Sequence, residues 1–347
     1  MKRTFLKTVA ATAALAMTGG FTKLATASTI ITGAGASLPF PIYSRWAEAY
    51  RAATGVQLNY QSIGSSAGIR QIRARTVTFG ATDDAPVSGA DLERDGMVQF
   101  PAIIAGVVPM YNLEGFRPGE LRLTGQLLAD MFSGRIVNWN DPRIAAVNPG
   151  RTFPNQGITV VHRADGSGTT FVFTDYLSAV SPEWARSVGR GATVRWPAAS
   201  SIGGRGSEGL SAIVARTRGA IGYVEFSYAR RNNIPHMAMQ NAAGNFVQPD
   251  DRTFSAAAAA IDWFSVPGMG VSMVNAAGAN SWPMATASFI LMYKQPANVA
   301  ESNAVLAYFD WAFRNGDALA LEMDFVPIPD TLAEAIRTRV WNQIRRA

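Results

Sequence analysis

The sequence has no cysteine and only two histidines, His162 and His236, in 347 residues. The first absence excludes disulfide bonds and a lipid-bearing cysteine behind a signal segment, and both together exclude a His/Cys metal centre. No Gly-Lys pair occurs, which excludes the Walker phosphate loop, whose lysine must follow glycine to reach the phosphates. Gly33-Ala34-Gly35 begins like a dinucleotide fingerprint, but Leu38 stands where the third glycine is needed and no acid follows at the expected distance. No cofactor and no metal is therefore expected. Blocks of like charge, low-complexity tracts and solenoid or collagen periods are missing as well. What remains is an ordinary globular composition, 48% apolar and 16% charged, on a chain long enough for two domains.

Long apolar runs are also scarce. Lys2, Arg3 and Lys7 precede an apolar stretch from Val9 through Met17, too short for the roughly 20 residues that span a bilayer. Followed by Ala25-Thr26-Ala27, it has the form of an export signal cleaved after Ala27. Residues 1–27 carry four basic side chains and no acid, so their removal lowers the net charge from +6 to +2. Such a balanced surface gives no case for nucleic acid. A soluble protein outside the cytoplasm is expected, and an enclosed compartment such as a Gram-negative periplasm suits a chain without a lipid anchor.

Short β-branched or alternating runs take turns with helical spacings. Thr29 to Thr32 leads into Gly33 through Pro39 and a helix with Ile42, Trp46, Ala49, Tyr50 and Ala53 on one face. Val56, Leu58 and Tyr60 alternate before Gly64-Ser65-Ser66-Ala67-Gly68 and another helix, and Val77 to Gly80 delivers Asp83 and Asp84. Phe100 to Met110 is continuously apolar, as in a fully buried strand. The pattern resumes with Ile158 to Val161, the Gly-rich run Ile202 to Gly209, and Gly219 to Val224. Residues 121–140 suggest a helix and a turn. Thr286 to Tyr293 suggests a strand, and two amphipathic helices close the chain. Alternation of this kind predicts parallel sheet with helices on both faces, where ligands bind beyond the C-terminal strand ends.

Small polar residues collect at those ends. His162-Arg163-Ala164-Asp165-Gly166-Ser167-Gly168-Thr169-Thr170 is a strand end, a turn and a helix start. A helix start exposes unpaired N–H groups and the positive end of the peptide dipoles, and so holds an anion. Ser and Thr there are also ordinary helix caps. Ser37, Ser65 and Ser167-Gly168-Thr169 occupy three equivalent turns, each able to offer hydroxyl and N–H donors to one anion. Arg163 adds a charge-assisted donor that Asp165 can hold in position. A carboxylate such as Asp83 repels an anion unless the ligand donates a proton. Phosphate carries a proton at neutral pH and sulfate does not, so an acceptor here would select between them. Equally, Asp83 or Asp84 can simply turn the chain before Pro86.

An enzyme reading competes with this one. Gly64-Ser65-Ser66-Ala67-Gly68 satisfies the Gly-x-Ser-x-Gly nucleophile elbow, with Ser66 as nucleophile and His236 as the one histidine late enough to serve it. No glycine-rich or otherwise distinctive setting surrounds His236.

Seven segments together resemble a known family: Gly33-Ala34-Gly35-Ala36-Ser37, Ile63-Gly64-Ser65-Ser66, Phe79-Gly80-Ala81-Thr82-Asp83, Arg163 through Thr169, Val194-Arg195-Trp196-Pro197, Gly219 through Glu225, and Phe309-Asp310-Trp311-Ala312. In order and over nearly the whole chain they are similar to the periplasmic phosphate-binding proteins of high-affinity phosphate ABC importers. The resemblance implies a type II periplasmic binding fold, with two doubly wound α/β domains joined by crossover hinge strands and phosphate held between them by hydrogen bonds alone. It implies domain I over residues 28–104 and 283–347, and domain II over 105–282. It further implies donors from Ser37, the Leu38 N–H, Ser65, Ser167, Gly168 and Thr169. Asp83 corresponds to the proton acceptor, Arg163 to the cationic clamp and Asp165 to its partner. The implied partners are a membrane permease and its ATPase, served by a monomer without covalent chemistry. Another tetrahedral oxyanion is the alternative ligand. Leu38 stands where the family commonly has Phe, and Asp84 adds an acid where the family has one Asp before Ala-Pro.

Overall fold

The structure is a computed structural model that describes residues 30–83 and 87–347. The expected signal segment, 1–27, and Asp84 lie outside the described residues. Strands are β1 (Ile30–Gly35), β2 (Gln57–Ser62), β3 (Phe79–Thr82), β4 (Met97–Tyr111), β5 (Arg122–Leu123), β6 (Thr159–Arg163), β7 (Ser201–Gly204), β8 (Ala220–Glu225), β9 (Ala238–Gln240), β10 (Phe246–Val247) and β11 (Ala285–Tyr293). Eight of them form one sheet in the order β2-β1-β3-β11-β4-β8-β6-β7, and β10-β9-β5 form a small second sheet.

The expected parallel pairing holds at both flanks, between β1 and its neighbours β2 and β3, and between β6 and its neighbours β7 and β8. The centre differs: β11 runs antiparallel to β3 and β4, and β4 antiparallel to β8. A single long strand causes this. All 15 residues of β4 are buried. Met97 to Gly106 pair with β11, and Val107 to Tyr111 pair with β8, so β4 links the two flanks. A Cβ on Gly106, at the handover, would stand 2.0 Å from the Phe254 ring. Trp282 Nε1 donates to the Val107 carbonyl at 2.8 Å and fixes the crossing.

Helices cover the sheet where the apolar spacing expects them. Phe40–Thr54 has proline in its first turn and ends at Gly55, whose φ of 78° lets its N–H close back on the Arg51 carbonyl. Its Ile42, Tyr43, Trp46 and Tyr50 are buried, and Tyr43 meets Phe309 edge-on. Phe309 belongs to Val299–Asn315, the first of the closing amphipathic helices. The second is shorter than the spacing suggests, because Asp330–Ala335 passes into a π turn at Ile336–Val340. Between residues 121 and 140 a two-residue strand precedes the helix Gly125–Phe132, whose cap is Thr124. Beyond the helix Asp251–Ala259, the chain reaches back to β4, where Gln99 Nε2 donates to the Gly268 carbonyl at 2.7 Å. No helix among the described residues is long and apolar enough to cross a membrane.

Candidate functional site

Three strand ends of the first flank are bound into one surface. The Ile63 and Gly64 N–H groups both donate to the Gly35 carbonyl, at 3.0 and 2.9 Å, and the Ala36 N–H donates to the Ala81 carbonyl at 3.0 Å. This places Ser37 after β1, Ser65 after β2 and Asp83 after β3 side by side, all nearly inaccessible to solvent. Neither serine is a cap. The helix Phe40–Thr54 has no side-chain cap, and neither has Ser65–Arg73, which begins with Ser65 itself behind Gly64. Their hydroxyls are thus available to other partners. Leu38 is fully buried and its side chain belongs to the core.

On the opposite flank, Arg163 ends β6 with its side chain 2% exposed. Asp165 holds it at two points, Nε to Oδ1 at 2.7 Å and Nη2 to Oδ2 at 2.5 Å. The Gly206 N–H adds a third bond, to Asp165 Oδ1 at 3.1 Å. Burial alone would raise the Asp165 carboxyl, but the bonds and charge of Arg163, aided by Gly206, hold it below the usual carboxylate range. The backbone of Arg163 is fixed by Tyr223, whose hydroxyl accepts its N–H at 3.2 Å and shares a 2.6 Å bond with Thr170 Oγ1. Burial pushes the Tyr223 phenol up to about 12, so it stays protonated.

Ser167 is the cap of the helix Gly168–Val180, its Oγ accepting the Thr170 N–H at 3.2 Å. That bond uses a lone pair and leaves the hydroxyl proton for another acceptor. Thr169 Oγ1 is buried with no hydrogen-bond partner among the described residues.

The two flanks touch through these residues. Ser65 Oγ accepts the Asp83 N–H at 3.2 Å and the Gly168 N–H at 3.1 Å. Ser37 Oγ lies 2.9 Å from Ser207 Oγ and accepts the Ser207 N–H at 3.3 Å. Helix starts at Phe40, Ser65, Gly168 and Gly206 therefore converge with a buried guanidinium, so their partial positive ends favour a small anion enclosed among them. A cavity of about 440 Å³ adjoins Asp83, lined by Val87, Phe171, Val172, Asp175 and Ser272 among others.

Of the expected residues, Ser65 is thus bonded to Asp83 and Gly168, Arg163 is paired with Asp165, and Ser37 is bonded to Ser207 instead. Ser207, Gly206, Tyr223 and Tyr228, whose hydroxyl donates to the Ser37 carbonyl at 2.9 Å, are not among the residues that the sequence points to. Gly203-Gly204-Arg205-Gly206-Ser207 is a fourth strand-to-helix polar turn of the same form as the other three, which is a usable signal for Ser207. The tyrosines leave no local signal, since an aromatic in an apolar run reads as core.

Ser66 and His236 keep separate company among the described residues. The Ser66 N–H faces the Gly166 carbonyl at 3.4 Å. His236 bridges to Met110 and meets Phe226 edge-on, and burial pushes its imidazole down to about 4. His162 stacks on Trp196 with Nδ1 at 3.0 Å from the Arg163 carbonyl.

Residues 22–315 match the family model of the PBP superfamily domain. The chain is 48% identical over 322 residues to the phosphate-binding protein PstS of Pasteurella multocida, covering 93% of each chain. The crystal structure of a phosphate-binding protein from Stenotrophomonas maltophilia superposes with a TM-score of 0.71 at 21% identity, covering 90% of this chain and 94% of that one. An ABC-type phosphate transport receptor from Vibrio cholerae superposes at 0.55 with 16% identity, covering 86% and 100%. Together these give the type II periplasmic binding fold.

Proposed function

Because the chain belongs to the PBP superfamily, among the phosphate-binding proteins named PstS, we propose that it binds inorganic phosphate between the two flanks of its sheet and delivers it to an ABC importer. The observation that supports this reading is the meeting of the two flanks at polar turns, where Ser65 Oγ accepts the Asp83 and Gly168 N–H groups and Ser37 Oγ lies 2.9 Å from Ser207 Oγ. Hydroxyls, helix-start N–H groups and one guanidinium supply donors to the oxygens, among them the Leu38 N–H and the Gly168 N–H, which turns from Ser65 Oγ to the ligand. Ser167 contributes its hydroxyl proton. Asp83 accepts the proton that phosphate carries and sulfate lacks. Asp165 does not touch the ligand; it keeps the guanidinium flat and aimed.

The chain divides into lobes at residues 28–104 with 283–347 and at 105–282, and closes by a hinge in the crossing strands. The support is the handover of β4 between its two partners at Gly106 and Val107. The reading involves no covalent step: the ligand is held by hydrogen bonds and released unchanged. The protein is exported to the periplasm after cleavage behind Ala27 and acts as a monomer that presents phosphate to a membrane permease driven by an ATPase. Calorimetric titration of ligand-stripped protein tests this: phosphate and arsenate bind with a stoichiometry of one, and sulfate does not. Turnover of an ester substrate that disappears in Ser66→Ala would replace this reading with a hydrolase.

A further inference from the structure

Ser37 is held from the opposite flank by more than Ser207. The Tyr228 hydroxyl, on the helix Phe226–Arg231, donates to the Ser37 carbonyl at 2.9 Å and lies at the same distance from Glu208 Oε1. Tyr228 is 7% exposed. Burial, reinforced by the charge of Glu208, raises its phenol far above the ordinary value, so it stays a donor at every physiological pH.

A phenol has one hydrogen, and here it faces two acceptors. Their positions differ in kind. Glu208 lies on the helix Gly206–Arg216, in the same flank as Tyr228, whereas Ser37 belongs to the other. Separation of the flanks removes Ser37 from Tyr228 but leaves Glu208 beside it, so the donor is never stranded without a partner. Approach of the flanks adds the Ser37 carbonyl and fixes the turn whose hydroxyl at the same time accepts the Ser207 N–H. Ser37 is then bonded at both its carbonyl and its Oγ.

We propose that Tyr228 is a positioning residue that latches Ser37 across the cleft, with Glu208 as its acceptor when the cleft is open. The inference rests on the reading that phosphate binds between the flanks. A latch of this kind lies outside the encounter and acts on release, so it is read from rates rather than from affinity alone. Tyr228→Phe keeps the ring and its packing and removes only the hydroxyl. In stopped-flow measurements with inorganic phosphate, it speeds release about tenfold while association stays within about twofold. Glu208→Ala leaves the Tyr228 hydrogen to Ser37 alone and does not speed release. In ligand-free protein, small-angle scattering finds a larger mean radius of gyration for Tyr228→Phe than for the parent.

Release from Tyr228→Phe at the parent rate overturns the latch, as does equal acceleration by both variants, which would mean packing rather than a directed bond. If the parent protein takes up no phosphate, the functional reading falls. The latch is then judged on the scattering comparison, where an unchanged radius overturns it.

Discussion

Gly64, on one flank of the sheet, lies so close to Asp165, on the other, that a Cβ added to the glycine would stand 2.6 Å from Asp165 Oδ2 and 2.8 Å from the Gly166 carbonyl. The glycine also has a φ of 89°, a conformation that side-chain-bearing residues avoid. Its smallness sets how near the donors of Ser65 come to the Arg163–Asp165 pair.

Gly64→Ala therefore separates the flanks and weakens phosphate binding more than tenfold. Gly55→Ala is the control: its φ is 78°, but nothing lies within 4 Å of an added Cβ. That variant loses about 1 kcal/mol of stability from backbone strain and keeps its affinity. Calorimetry and urea unfolding on both variants separate the effects. Equal affinities would mean that the approach at Gly64 has no part in binding.

Arg163→Ala removes a charge that is 2% exposed and leaves Asp165 without its two-point partner. Breaking one side of a buried charged pair costs about 3–5 kcal/mol, so phosphate affinity falls at least a hundredfold in titration calorimetry. Arg163→Lys restores the charge but not the fork, and recovers only part of the loss. An unchanged dissociation constant for Arg163→Ala takes this residue out of the site.

Asp83→Asn exchanges an obligatory acceptor for a group that can also donate. Discrimination between phosphate and sulfate narrows, measured by competition of sulfate against bound phosphate. If selectivity moves in Asp84→Asn and not in Asp83→Asn, the second acid is the selector.

Glu225 ends β8 opposite Val107, where β4 changes partner, and is fully buried. Burial pushes its carboxyl up to about 8, against the hydrogen bonds from the Ser227 hydroxyl and N–H. The folded protein thus binds a proton that the unfolded chain releases near its ordinary value of about 4.3. Its contribution to stability is complete below that value, declines above it, and is lost as pH rises through 8. Glu225→Gln retains an acceptor for the Ser227 N–H and has no proton to lose, so its thermal midpoint declines less between pH 5 and pH 9 (on the order of the titration window). Parallel curves for parent and variant would remove Glu225 as the source of the slope.

Local chemistry carried much of the fold and part of the site into the sequence. The β-branched and alternating runs mark seven of the strands within a few residues, because burial of one or both faces imposes those periods directly. Arg163 and Asp165 are two residues apart, so their pairing is nearly a property of the turn itself. The parallel centre expected from the βα alternation gave way to antiparallel β4 and β11, since alternation reports neighbours in the chain and β4 is shared between two flanks. The short strands β5, β9 and β10 and the segment around Gly268 carry too few residues to display any period.

Strand ends and polar turns, and the places of Ser37, Ser65, Asp83 and Arg163 in them, follow from the sequence by itself, because each depends on residues within a turn or two of one another. Which turns meet was decided only in three dimensions. Ser65 reaches Gly168 across 103 residues, Ser37 reaches Ser207 across 170, and Tyr228 reaches Ser37 across 191. Contacts at such separations arise from how β4 joins the two flanks and leave no spacing to read along the chain.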